Sequence, residues 1–280
     1  GHLKGGPAKI SVLSSALMGT ISGSTSANVA TTGAFTIPLM KSIGYEPHFA
    51  GAVEAAASTG GQIMPPVMGA AAFIIADTLN IPYTQVLLCA IVPALLYFWG
   101  IWCSLSLEAS RLGLKGLPKE TLPRAGEVLV TSGYKAIPLF VIVYFLVKGY
   151  NPLYSGCWGI GCCVLLSFVK KSDRMDLTTF VNTLKDGSLG ALSVAMACII
   201  VGNVIGMMGA TGVALRIGDA VLALTRGHLV LTMCVTLLIA TLLGMGMPTT
   251  ASYVMASAVA APALTLLGVK GLDAHMFVFF

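Results

Sequence analysis

The sequence predicts an all-α polytopic membrane protein built from two inverted-topology halves, each with a re-entrant helical hairpin and a broken transmembrane helix. Three observations carry this expectation. First, 56% of the 280 residues are hydrophobic and only 10% are charged, against roughly 25% charged in an ordinary soluble domain. Too few charges remain to coat a soluble core of this size, so a lipid bilayer is the expected solvent. Second, one pattern of interruption occurs twice. Ile21-Ser22-Gly23-Ser24-Thr25-Ser26-Ala27-Asn28 breaks an apolar run, Pro38 follows, and a polar turn leads to His48-Phe49. Gly244-Met245-Gly246-Met247-Pro248-Thr249-Thr250 breaks another, Pro262 follows, and a turn leads to His275-Met276-Phe277. Third, Lys and Arg gather in two short segments. Two interrupted hydrophobic segments in corresponding halves point to a secondary transporter and to its binding site.

The elements follow in order. The runs at about 8–41 and 229–267 are long but split by Gly, Ser, Thr and Pro, and each reads as a hairpin that enters the membrane and returns. Irregular backbone at that depth survives only inside protein or beside a wet cavity. Runs at about 48–79, 83–106, 134–149, 153–169 and 189–213 approach or exceed bilayer length, which is about 20 residues. A further run begins near Asp273, and residues 176–187, with Asp176 as a cap, read as a surface helix. The expected organisation is a first repeat at 1–106, cytoplasmic loops with a connecting helix pair at 107–187, and a second repeat at 188–280. The chain is expected to be a fragment, since it lacks an initiator Met and stops at Phe280 inside an apolar run.

Charge sets the orientation. Arg111, Lys115, Lys119, Arg124 and Lys135 crowd one segment, and Lys170, Lys171, Arg174 and Lys185 another, so both are expected in the cytoplasm and the turn at Asn151-Pro152 outside. Counting spans from these loops brings the two hairpins in from opposite faces. The segment around Arg216 and Arg226 then lies outside, as a short amphipathic helix on the membrane surface. The net charge of +5 thus serves topology rather than a nucleic-acid surface. The seven cysteines form no CxxC–His pattern and read as small packing residues.

The most distinctive tract is Ser58-Thr59-Gly60-Gly61-Gln62-Ile63-Met64-Pro65-Pro66 in the middle of a membrane-length run. Gly60-Gly61 is flexible and Pro65-Pro66 removes two backbone donors, so the helix is expected to break and expose carbonyls that suit Na⁺. Ser22, Ser24, Thr25, Ser26 and Asn28 put hydroxyls and an amide beside glycines at the first tip, and Gly244, Met247, Thr249 and Thr250 do the same at the second. Glu54 is the one acid well inside a span, at a cost of about 2.5–3.5 kcal/mol if charged. It reads equally as a proton carrier, as part of a cation path, or as a paired or protonated group. His48 and His275 read as interface residues or caps. No nucleophile–base pair, P-loop or HExxH is present, so no enzyme is expected.

These tracts, with Thr32-Gly33-Ala34-Phe35-Thr36-Ile37-Pro38 and Glu54 through Gly69, resemble the large membrane subunit of TRAP (tripartite ATP-independent periplasmic) transporters, most closely the branch with TAXI-type binding proteins and fused permeases. The resemblance implies uptake driven by a Na⁺ gradient in a bacterial or archaeal cytoplasmic (inner) membrane. It implies three partners: a periplasmic solute-binding protein, a small membrane subunit (separate or fused) and a small-molecule solute of carboxylate character. An elevator motion of a core holding both hairpins is implied too. Residues expected at the solute are Ser24, Thr25, Asn28, Gln62, Thr249 and Thr250. Those expected at Na⁺ are Ser22, Ser26, Thr59, Gly60, Gly61, Met64, Gly244, Gly246 and Met247, with Glu54, Pro65 and Pro66 shaping the site. The family's final broken helix, the counterpart of Gly60 to Pro66, is expected beyond Phe280, which would leave one cation site incomplete. A passive ion or solute channel is the alternative function, and a non-transporting scaffold a further one.

Overall fold

A computed structural model describes residues 5–114, 133–170, 174–245, 247 and 249–280. All regular elements among the described residues are helical. They are α1 (Gly6–Ser22), α2 (Thr25–Ser42), α3 (Pro47–Ile63), α4 (Ala70–Thr78), α5 (Tyr83–Arg111), a 3₁₀ turn (Gly133–Ala136), α6 (Ile137–Val147) and α7 (Pro152–Ser167), followed by α8 (Leu177–Thr211), α9 (Val213–Thr225), α10 (Leu229–Gly244), α11 (Thr249–Leu266) and α12 (Gly271–Phe279). Two of them, α5 and α11, are long and apolar enough to cross a membrane. The mean hydropathy of α5 reaches 2.2, yet Leu88, Val92, Leu96 and Trp99 all face outward from it. An apolar surface of that kind suits lipid and not water.

The chain forms two compact units, one of residues 1–69 and 83–174 and the other of 70–82 and 175–280. In the first, α1 and α2 double back on one another and both pack on α3, which also meets α5. Proline starts α1 and α3 within their first turn, where its missing N–H costs nothing. α1 stops because Gly23 turns left-handed at φ 61° and sends its N–H to the Gly19 carbonyl at 2.9 Å. Ser24 then caps α2, accepting from Ala27 N–H at 3.5 Å. Small residues let the helices approach: Ala8, Ala50, Ala57 and Ala109 are buried with Val12, Met40, Val53 and Leu105. α6 and α7 form a second helix pair, turned at residues 148–151, with Asn151 Oδ1 capping Leu153 N–H at 2.9 Å.

In the second unit α11 is central and meets α4, α8, α9, α10 and α12. α10 and α11 form the other helical hairpin. α9 buries Gly218, Val221 and Thr225, which share one face, so a one-sided helix does occupy the Arg216 region.

Three expectations change. Residues 177–211 form one continuous helix rather than a surface helix followed by a span. Gly187 and Gly190 weaken it by about 1 kcal/mol each, but no proline interrupts its hydrogen bonds. Asp176 occupies the N-cap position without a side-chain bond. Cys89, Cys157, Cys163 and Cys234 are exposed rather than core filler, which an apolar solvent permits. Lys115, Lys119, Arg124 and Lys171 lie outside the described residues.

Candidate functional site

The helix breaks where the two prolines dictate. Pro65 and Pro66 would have donated to the Gly61 and Gln62 carbonyls and have no N–H to give. Met64 N–H instead bonds the Gly61 carbonyl at 3.4 Å, and Gly69 N–H reaches back to Gln62 at 2.7 Å. Chain resumes as helix at Ala70. Residues 64–69 are therefore a loop, with a cis Pro65–Pro66 peptide, and its carbonyls need partners from elsewhere. Thr20 on α1 donates to Met64 O at 2.6 Å. The Tyr83 hydroxyl at the start of α5 lies 2.6 Å from Val67 O and 3.2 Å from Pro66 O.

Gly60 and Gly61 lie inside α3, and the break begins after Ile63. Both glycines serve close approach. A Cβ on Gly61 would stand 2.5 Å from Gly19 Cα, so α1 and α3 touch backbone to backbone. A Cβ on Gly60 would stand 2.6 Å from the Phe98 ring and 2.7 Å from the Tyr97 ring.

The first tip rests on this loop. A Cβ on Gly23 would meet Met68 O at 3.1 Å and Gly69 Cα at 3.3 Å. Gln62, buried in α3, donates from Nε2 to the Thr25 hydroxyl. Ser24 and Ser26 hydroxyls lie 3.3 Å apart, and Ser22 Oγ is 3.4 Å from Ser24 O. Ser22, Ser26 and Thr59 are exposed, the last with its hydroxyl on Ala55 O at 2.9 Å. Thus the turn that carries Ser22, Ser24, Thr25 and Ser26 meets the α3 break at Gly23 against Met68 and Gly69 and at Thr25 against Gln62.

Asn28 and Glu54 lie deeper, behind the tip. Asn28 is fully buried, and the two hydrogens of its Nδ2 are shared among Ser15 O at 2.8 Å, Ser15 Oγ at 3.0 Å and Ser58 Oγ at 3.1 Å. Its Oδ1 is buried with no hydrogen-bond partner among the described residues. Glu54 is 1% exposed. Its Oε1 lies 2.5 Å from Thr32 Oγ1, 2.9 Å from Ser15 Oγ and 3.2 Å from Ser58 Oγ, and its Oε2 lies 2.6 Å from Thr36 Oγ1. Ser15, Thr20 and Tyr83 are contacts that the sequence reading did not single out, and Thr32, Thr36 and Ser58 stood in its tracts without an assigned role. One signal was present: Asn28, Thr32 and Thr36 recur every fourth residue, as do Glu54 and Ser58, which places each set on one helix face.

At the second tip, Gly246 lies outside the described residues. Gly244 ends α10, Thr249 and Thr250 open α11, and Met247 between them is half-buried. A Cβ on Gly244 would meet Ser252 Oγ at 3.1 Å. The same unit holds a cavity of about 370 Å³ lined by Ile74, Thr78, Val254, Ser257, Ala261 and His275 among others. His275 is no cap. It sits in the second turn of α12, half-buried, with Nδ1 2.7 Å from the Tyr253 hydroxyl. His48 is exposed at the start of α3, 3.4 Å from Glu46.

A "Putative TRAP transporter large permease protein" of Haemophilus influenzae is 30% identical over 125 residues, covering 43% of this chain and 28% of the relative. The "2,3-diketo-L-gulonate TRAP transporter large permease protein" of Escherichia coli K12 is 27% identical over 158 residues, covering 56% of this chain and 36% of the relative. The matched segments thus amount to about a third of those curated relatives. The family described as "Tripartite ATP-independent periplasmic transporter, DctM component" matches residues 1–280, and the chain belongs to that family of membrane transporters.

Proposed function

We propose that this chain is part of the permease of a Na⁺-coupled secondary importer, which receives an organic-acid-like solute from a periplasmic binding protein and works with a small membrane subunit in the inner membrane. The observation that carries the reading is the hydroxyl-rich turn at Ser22–Asn28 seated on the helix break at residues 64–69. Turn hydroxyls and carbonyls released from helical pairing supply oxygen to a monovalent cation without a carboxylate. In this reading Ser22, Ser26 and Thr59 hydroxyls and the Gly60, Gly61 and Met64 carbonyls face Na⁺, with Gly244, Gly246 and Met247 in the equivalent role at the second tip. Ser24, Thr25, Gln62, Thr249 and Thr250 meet the solute. Asn28, buried behind the turn, holds the turn in place for it. A carboxylate solute needs no arginine here, because helix N-termini such as that of α2 favour an anion.

Two inverted halves moving as an elevator past a fixed scaffold complete the proposal, and a passive channel is the competing reading. Uptake by the complete permease in proteoliposomes, supplied with its binding protein, separates them. Accumulation against a solute gradient that follows an imposed Na⁺ gradient is the expected result. Flux that only runs downhill, whatever the Na⁺ gradient, makes the protein a channel.

A further inference from the structure

We propose that Lys9 and Trp102 form a binding site for an anionic phospholipid, with the lipid phosphate on the Lys9 ammonium and an acyl chain along the exposed apolar stripes of α1 and α5. The site lies roughly 20 Å along α1 from the Ser22–Asn28 turn and does not depend on the transport reading above.

Lys9, in the first turn of α1, is only 7% exposed. Its Nζ sits 4.9 Å from the centre of the Trp102 ring on α5. A ring face attracts a cation but carries no net charge. Among the described residues, no carboxylate and no hydrogen-bond acceptor pairs with that ammonium. The described acids of this unit are engaged elsewhere. Glu46 lies 3.4 Å from His48 and Glu108 3.6 Å from Arg111, while Glu54 faces the hydroxyls of Ser15, Thr32, Thr36 and Ser58. Glu108 also stands six residues beyond Trp102, about 9 Å along α5. Charges withdrawn from water are paired, and among the described residues the protein supplies no partner for this one.

The pair sits at headgroup level. α5 has 29 residues, about 43 Å of helix, against a hydrocarbon core of about 30 Å. From Val86 to Cys103 it carries no charge, and its polar residues then follow closely: Ser104, Ser106, Glu108, Ser110 and Arg111. Trp102 is the last aromatic ring before that change, with Trp99 one turn earlier. Tryptophan is enriched at this boundary between hydrocarbon and headgroups. The same end of the unit is cationic. Ala8, Met40 and Ala109 pack in one cluster, which brings Lys9, Lys41 and Arg111 to that end.

Apolar surface runs inward from the pair. Leu13 and Leu17 follow Lys9 at four-residue intervals on α1, and Trp99 and Leu95 precede Trp102 by three and seven residues on α5, so each set shares one side of its helix. All four are exposed, and α1 and α5 are neighbours in the fold. A cation without a counter-charge at the head of two apolar stripes fits a molecule that carries a phosphate beside a hydrocarbon chain. Lysine, a compact charge on a flexible stem, suits that phosphate. A zwitterionic headgroup carries its own cation, which competes with Lys9 for the phosphate, so a headgroup with net negative charge is favoured.

Tryptophan fluorescence tests this. The chain has three tryptophans, Trp99, Trp102 and Trp158, so Trp99→Phe with Trp158→Phe leaves Trp102 as the only emitter. The full chain is reconstituted in vesicles in which a fixed share of the lipid is brominated phosphatidylglycerol or brominated phosphatidylcholine, whose bromine quenches a ring it touches. The expected result is an affinity for phosphatidylglycerol about fivefold above that for phosphatidylcholine, falling to parity in Lys9→Gln and kept in Lys9→Arg. Lys41→Gln and Arg111→Gln should leave the preference unchanged, and so should inorganic phosphate compared with NaCl at equal ionic strength. Equal quenching by the two lipids overturns the proposal. A preference that survives Lys9→Gln, or that falls with Lys41→Gln or Arg111→Gln, also overturns it and assigns the effect to diffuse surface charge. Loss of the preference in inorganic phosphate overturns the lipid as ligand and makes the pair a free-anion site. Should Lys9→Gln not fold, the comparison of the two lipids and the Lys41 and Arg111 variants still decides.

Discussion

Around the first hairpin, α1 and α2 meet α3 through glycine backbone and through a carboxyl, two amides and five hydroxyls. Around the second, α11 meets its neighbours mainly with alanine. Ala256 and Ala260 lie against Val278, and Ala261 lies with Leu264 and Ala274. The one directional contact between α11 and α12 among the described bonds is Tyr253 with His275. In lipid, where the surroundings are as apolar as the side chains, close packing and polar bonds are what hold helices together. Polar bonds also fix register, because a one-turn slip leaves every donor unpaired. Alanine faces fix distance and tolerate sliding. The first hairpin is thus docked at one depth on α3, while α11 of the second is held mainly by shape and α10 makes one polar bond, Thr232 with Thr225 of α9 at 2.8 Å.

The strongest way to break this comparison is at the glycine contact. Gly61→Leu should cost about 3 kcal/mol or more, because the new Cβ would lie 2.5 Å from backbone that cannot move aside. Gly244→Ala meets only the Ser252 hydroxyl at 3.1 Å and should cost less than about 1 kcal/mol. Apparent melting temperatures in detergent compare the two, and equal losses would erase the distinction. Next, Glu54→Ala should cost about 2–3 kcal/mol by removing the one acceptor that Ser15, Thr32, Thr36 and Ser58 share, measurable as a lowered unfolding midpoint. Tyr253→Phe, the matching deletion in the second unit, should cost about 1 kcal/mol in the same assay. A loss as large as that of Glu54→Ala would show that the second hairpin is also held by polar bonds. The smallest effect is a gain. Thr236 Oγ1 on α10 is buried with no partner among the described residues, so Thr236→Val should raise the midpoint by about 0.5 kcal/mol of stability.

Covalent constraints were the legible part of the site. Pro65 and Pro66 lack donors in any fold, so the interruption before Ala70 could be read directly, and Gly23 with Ser24 marked the turn. Its starting point was harder. Gly60 and Gly61 read as flexible, but they are helical, because a residue without a Cβ can equally well be chosen for contact with Gly19, Tyr97 and Phe98. Which use applies depends on what stands opposite. The setting of Glu54 was less legible still. Thr32 and Thr36 belong to α2 and Ser15 to α1, and only the fold of the hairpin brings them to α3. The division at residues 187–189 failed for another reason: two glycines near a polar stretch resemble a boundary, yet each costs too little to end a helix of that length.

The Gly19–Gly61 contact has a mechanical result. Side chains between two helices normally act as a cushion, changing rotamer to absorb small displacements. Here main chain abuts main chain, and tightly packed protein is nearly incompressible. A push along α1 therefore meets α3 at main chain and not at a side chain that can turn aside.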